Sequence, residues 1–204
     1  MLGQLSMAGK LAAKHIRGTQ PAPLTWKVRN ITRPNYVFGW VGNQAARALT
    51  ATFGIPTMIA ELRAVKIGAD GKRTDYGVVS YRKITTAYVN FLAAQHVTDS
   101  TVIGDFKFHD SGEGVTGEAN GDTDMETTDG ESRVTGTQTN PGSVNTYQSV
   151  GTIAYTTSKA ITEHGLFSAS SGATLMDRSV FAAINVVNGD SIQFTYTLTL
   201  TAGG

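Results

Sequence analysis

The chain of 204 residues has no cysteine. That removes disulfides, thiolate nucleophiles and cysteine-based zinc sites together. It has no run of about 18 apolar residues, so no membrane-crossing helix is expected. It has no acidic residue before Glu61, although Lys10, Lys14, Arg17, Lys27, Arg29, Arg33 and Arg47 all precede it. Three of these cations interrupt the apolar core that a secretory leader would need, so no leader is expected. Charged residues make up only 16% of the chain. With 23 glycines and abundant threonine, that balance favours β structure with many turns over a helix bundle.

What is present is clearest at the end of the chain. Ile192, Phe194, Tyr196, Leu198 and Leu200 alternate with Gln193, Thr195, Thr197, Thr199 and Thr201. Side chains of a strand point to opposite faces with period two, so this is a half-buried strand. Asn188, Gly189 and Asp190 mark a turn before it. Ser179 to Val187 is apolar and uncharged, and is expected to be its hairpin partner. Ala160 to Phe167 is a further strand, followed by a small-residue turn at 168–172.

These segments also carry a resemblance. Ile161 to Phe167 reads ITEHGLF; Leu175, Arg178 and Phe181 follow as L-x-x-R-x-x-F; Ile184 to Gln193 reads INVVNGDSIQ. Together with the alternating final strand, they resemble the C-terminal β module of virion structural proteins of tailed bacteriophages, which are capsid- or tail-associated. The resemblance is firm over about the last fifty residues, looser back to about Ile55, and does not reach residues 1–54. It implies a non-enzymatic capsid cement or decoration protein that binds the major capsid protein or neighbouring virion proteins. A tail-associated adaptor, baseplate or fibre-base protein is the alternative. It implies assembly in the host bacterial cytoplasm, location in the virion and a homo-oligomer, trimers being common among β-rich capsid decorations. A carbohydrate-binding β module is a further reading. It needs exposed aromatics on one face, and outside the N-terminal region only Tyr147 and Tyr155 are candidates.

Along the chain, residues 1–54 read as a basic, aromatic arm and connection, and 55–204 as a β-rich body. Met1 to Ile16 has a weak helical pattern of Leu2, Leu5, Ala8, Ala12 and Ile16. Pro21 and Pro23 then force extended backbone. Leu24 to Gly42 holds both tryptophans among cations, either as a first strand pair with Trp26 and Trp40 in the core, or as an arm docking on a neighbour. Aromatics and arginine are the residues enriched at interface anchors, so Trp26, Lys27, Arg29, Arg33, Tyr36 and Trp40 are the expected contact residues. Nucleic acid is not the expected partner, because the basic residues are few and scattered.

Gln44 to Phe53 is alanine-rich, a candidate helical turn. A hairpin is expected over 58–82 around Asp70 and Gly71. A helix is expected over 86–95, with Thr85 or Thr86 as N-cap and an apolar face covering the sheet. Thr101 to Phe108 reads as a short strand. Acidic, glycine-rich loops are expected over 109–145, and C-terminal hairpins over 147–201. The fold class is therefore mainly β: an antiparallel sandwich or jelly-roll-like body with one covering helix and an extended N-terminal arm.

Chemistry is sparse. Asp122, Asp124 and Glu126 alternate, with Asp129 and Glu131 beyond, and oxygen ligands so spaced suit Ca²⁺. No glycine or glutamate stands where the twelve-residue Ca²⁺ loop requires it. A solvated, outward-facing loop is the expectation, as is the absence of a cofactor. His109, Asp110 and Ser111 supply triad residue types, but adjacent residues do not converge as a triad must. Glu163 and His164 point to opposite faces of their strand, and His164 is expected at a surface or an interface. No enzyme constellation emerges.

Overall fold

The structure is a computed structural model and describes residues 34–81, 83–96, 106–142 and 145–202. Helix α1 runs Pro34–Phe53. Strands β1 (Thr57–Ile67), β2 (Arg73–Tyr81) and β3 (Lys83–Ile84) follow, then helix α2 (Thr86–Gln95). The rest is β4 (Phe108–Gly112), β5 (Val134–Thr135), β6 (Thr137–Thr139), β7 (Thr146–Ala154), β8 (Lys159–Phe167), β9 (Leu175–Val186) and β10 (Ser191–Thr201). Two five-stranded sheets form, in the orders β2-β1-β10-β7-β6 and β3-β9-β8-β4-β5. Every pairing is antiparallel. The protein is mainly β, a sandwich with α2 against one part of its core.

The alternation in β10 is realised as read. Ile192, Phe194, Tyr196 and Leu198 are buried, while Leu200 emerges at the end. They meet Ala60, Leu62 and Ala64 from β1 and Ile153 from β7 on one side of the core. Ile161 and Leu166 of β8 and Met176, Phe181 and Ile184 of β9 supply the other side. β1 and β10, the first and last strands among the described residues, pair in full register from Thr57 opposite Thr201 to Ile67 opposite Ser191.

The hairpin expected between Ser179–Val187 and the last strand does not form. β9 pairs with β8 and β3, and β10 with β1 and β7. Both strands are apolar on the same interior, and they face each other across it: Phe181 and Phe194 have ring centroids 6.1 Å apart. The turn between them steps from one sheet to the other. Its Asp190 carboxylate accepts from the amides of Val187 and Ala69, both at 3.0 Å, and pairs with Lys66 at 2.6 Å. Gly189 takes φ of 87°, a left-handed conformation glycine adopts without the penalty a Cβ imposes.

The 58–82 hairpin and the 86–95 helix appear where the sequence puts them. Thr85 is the N-cap: its hydroxyl accepts from the Tyr88 amide at 3.1 Å and donates to the Leu175 carbonyl at 2.5 Å. Tyr88 and Phe91 of α2 pack edge-on against Phe106, at 4.9 and 5.0 Å between centroids. Burial pushes the Tyr88 phenol up to about 12, with a further contribution from Tyr147. Residues 101–105 of the strand expected over 101–108 lie outside the described residues.

Pro34–Phe53 is a second helix, which the strand-pair and arm readings of 24–42 did not anticipate. Pro34 suits a first helical position, since its missing N–H would have no partner there. Ala45, Ala46, Ala48 and Ala51 sustain the helix. Gly54, at φ of 63°, ends it by donating to the Thr50 carbonyl at 3.0 Å. Among the described residues, no helix is long and apolar enough to cross a membrane.

Phe194 has no exposed surface and touches both sheets' interior residues. Phe194→Ala is expected to cost about 3–5 kcal/mol through the cavity it leaves. A urea midpoint measured against the parent chain checks this, and a change below about 1 kcal/mol would place the core elsewhere.

Candidate functional site

The polar groups of this molecule gather around β8, and the strand's two faces hold different chemistry. His164 points inward. Glu163 points outward, as the alternation requires. His164 is fully buried, which corrects the expectation of a surface position.

On the outer face Glu163 has no exposed surface. One carboxylate oxygen accepts from the amides of Gly114 at 3.1 Å and Thr127 at 2.7 Å. The other accepts from the Glu126 amide at 3.2 Å and from Arg178 Nε at 2.7 Å. Arg178 comes from β9, one strand over, and spreads its remaining nitrogens to Asp122 and Glu126, each at 3.1 Å. Burial works against the Arg178 charge, but its bonds to Glu163 and Asp122 outweigh this and raise its pKa. Glu126 is held below the usual carboxylate range by the hydroxyl and amide of Thr116.

A second group lies toward Phe167. Arg133 Nε pairs with Asp110 at 2.9 Å, and its guanidinium stacks 3.4 Å above the Phe167 ring. Burial raises the Asp110 carboxyl, partly offset by Arg133. Ser111 donates to Asp129, and its oxygen lies 3.1 Å from Tyr155 Oη. Burial raises Asp129 as well, partly offset by Ser111. Lys159 donates to the Asp129 carbonyl and pairs with Glu131 at 3.4 Å.

The acidic segment is largely exposed, as the sequence suggests, but several of its carboxylates are bonded rather than simply solvated. Although mostly irregular, it folds back on the outer face of β8 and β9. An open groove of about 450 Å³ remains, lined by Thr116, Asp122, Asp124, Glu126 and Arg178 among others. Asp122 and Glu126 turn to Arg178, and Asp124 turns to Arg133 at 3.4 Å. The three carboxylates whose spacing suits Ca²⁺ thus serve two different guanidinium groups. No cluster of three or more candidate metal ligands occurs among the described residues.

On the inner face, His109 Nδ1 of β4 lies 2.9 Å from His164 Nε2, and His109 Nε2 lies 2.8 Å from Ser149 Oγ of β7. Both rings are buried. Gly136 and Gly151 make room: a Cβ on either would stand 2.6 or 2.5 Å from the His109 ring. The adjacent His109, Asp110 and Ser111 send their side chains to Ser149 and His164, to Arg133, and to Asp129 and Tyr155. Ser111 is thus bonded to a carboxylate and a phenol, and His109 is turned to other partners.

Of the expected anchors, Trp26, Lys27, Arg29 and Arg33 lie outside the described residues. So does the Tyr36 side chain, although its backbone is in α1. Trp40 is 46% exposed on α1. Val41, Leu49 and Phe53 are exposed elsewhere on the helix, and no side chain from Trp40 to Phe53 is buried. Asn43 reaches the Ala60 carbonyl at 3.5 Å and Arg47 pairs with Glu61 at 3.7 Å, so α1 touches the body through polar groups. Tyr155 is buried and the Tyr147 hydroxyl donates to the Phe106 carbonyl, so neither offers the exposed ring face a glycan would stack on.

Arg178→Met is expected to cost about 3–5 kcal/mol, because it leaves the buried Glu163 charge without its cation. Adding Glu163→Gln should recover part of that loss. Urea midpoints of both single variants and the double variant check it, and strict additivity would show the two groups are not coupled.

No protein family, no curated protein and no solved structure matches this chain.

Proposed function

We propose that this chain is a non-enzymatic structural protein of a tailed-phage virion. In this reading it is a capsid cement or decoration protein, holding the shell through its N-terminal region and α1. The observation that carries the reading is the state of α1. A 20-residue helix displays Trp40, Val41, Leu49 and Phe53 to solvent and buries none of the side chains described on it. Helices in proteins draw most of their stability from packing an apolar face, so such a helix is suited to a surface outside its own body. Ile55 and Met58, past the helix, are exposed as well, and Met58 stands opposite the exposed Leu200.

The charge pattern supports the same reading. The basic residues preceding Glu61 run directly into α1, and Trp26, Lys27, Arg29, Arg33, Tyr36 and Trp40 remain the proposed anchors. The partner is the major capsid protein or a neighbouring virion protein, with several copies of this chain bound on a symmetric lattice. Binding by shape and burial stabilises the assembled state by mass action. The buried polar groups around β8 serve the body, since nearly all of them are bonded to one another.

The test pairs stoichiometry with incorporation. A cement role predicts an abundance in purified virions comparable to that of the major shell protein. A small fraction of that abundance would move the chain to the tail. Leu49→Asp with Phe53→Asp should leave a folded, soluble chain that is lost from virions by at least about tenfold, the equivalent of about 1.4 kcal/mol. Unchanged incorporation would remove α1 from the interface, and absence of the parent chain from virions would end the virion reading.

A further inference from the structure

The inner face of β8 holds two histidines in an unusual place. His109 and His164 lie between the sheets, bonded ring to ring at 2.9 Å. His109 joins the sheets through Ser149 of β7, and His164 packs against Phe194 of β10 at 4.6 Å between centroids. The contact is therefore a polar seam through the apolar core, tying β4 and β8 of one sheet to β7 and β10 of the other.

Its surroundings are close to neutral. Facing the His109 ring are His164 from β8, Ser149 from β7 and the glycines Gly136 and Gly151. On β9 the residue opposite His164 is Ser179, and the buried carboxylate Asp177 stands two positions along, opposite Leu166. The adjacent charges point elsewhere: Asp110 to Arg133, and Glu163 to Arg178. Among the described residues, no carboxylate or cation is recorded within hydrogen-bonding distance of the His109 ring.

A neutral imidazole has one donor and one acceptor nitrogen, so one N–H···N bond joins the two rings. A proton on each ring would set two N–H donors head to head across 2.9 Å. We infer that the His109–His164 pair is an acid-operated latch: intact while the rings are neutral, it releases the two sheets when the surroundings acidify. Release separates the seam at Ser149 and Gly151 of β7 and admits water to the core beside Phe194.

The sign of the effect follows from burial. Desolvation lowers His109 from the usual 6.5 to about 3. The unfolded chain therefore takes up the proton more readily than the folded one. The stabilising effect of the neutral ring is whole above about 6.5 and declines as pH falls toward the folded value. Burial also raises the Asp110 and Asp129 carboxyls, so the His109 variant, and not the parent curve alone, isolates the histidine contribution.

The experiment is a series of urea unfolding curves on the full chain between pH 8 and pH 5. The expected result is a flat plateau above about pH 7, then an unfolding constant rising toward tenfold per pH unit below about 6. His109→Gln, which cannot take up a proton, should flatten that lower limb. A parent chain whose stability does not change between pH 7 and pH 5 overturns the latch. A limb that persists unchanged in His109→Gln overturns it too. Should that variant fail to fold, nuclear magnetic resonance of the parent's histidine rings decides. A His109 ring that stays neutral in the folded chain down to about pH 5 supports the latch; one that titrates near 6.5 with the fold intact overturns it.

Discussion

The outer layer of this protein depends on one buried carboxylate. Removing a charged group from water costs several kcal/mol unless its bonds are replaced. Glu163 replaces them with three backbone amides, from Gly114 and from the adjacent Glu126 and Thr127, and one guanidinium. That requirement fixes Gly114, Glu126 and Thr127 around one point, and it brings Arg178 from the next strand. The segment between them has few large apolar residues and would not bury enough surface to order itself. It is ordered because its amides answer a charge, and Arg178 then collects Asp122 and Glu126 into the same cluster. Met125 adds the only substantial apolar contact there, lodging with Phe167 and Leu175. Gly165 permits this, since a Cβ at that position would stand 2.6 Å from the Met125 sulfur.

The strand that carries Glu163 separates two kinds of polarity by a single residue. Outward, the groups are ionic, multiply bonded and partly screened at the groove. Inward, the groups are neutral imidazoles and a hydroxyl, enclosed by aromatic rings. An ion pair on the inside would need the same number of amides to satisfy it, and the interior of a sandwich has none free, because its amides are committed to the ladders. Imidazole resolves this: it bonds at both ends without carrying charge.

Much of the body is legible from period and punctuation. The β10 alternation, the Asp70–Gly71 hairpin, and the helix capped at Thr85 are local signals, and each has a local cause. What is not legible is pairing over distance. Apolarity in Ser179–Val187 marks a strand without saying which strand it joins, and proximity to β10 suggests the wrong neighbour. Asp190 decides it by bonding back to Ala69 and Lys66, residues about 120 positions earlier. The acidic segment misleads for a related reason. Nine carboxylates over 105–131 suggest a solvated loop, yet Asp110 and Asp124 meet Arg133 and Asp122 and Glu126 meet Arg178. A cation isolated in an apolar strand, as Arg178 is, was the available sign. His109 and His164 are 55 residues apart, and no spacing rule links them.

The placement of α1 completes the physical picture. A sheet edge offers unpaired backbone groups to any other strand. Among the described residues, three of the four sheet edges are blunted by brevity: β3 and β5 have two residues each, and β6 has three. The fourth, β2, has nine residues, and α1 lies beside it. None of the described side chains of α1 is buried, so the helix lies near β2 while leaving apolar groups uncovered. Strand addition reads mainly backbone and admits many sequences. A helix surface reads side-chain shape and is more selective; on α1, Trp40, Val41, Leu49 and Phe53 are exposed around the helix rather than along one face. Under the function proposed above, α1 offers a selective side-chain contact near an edge that strand addition could otherwise use.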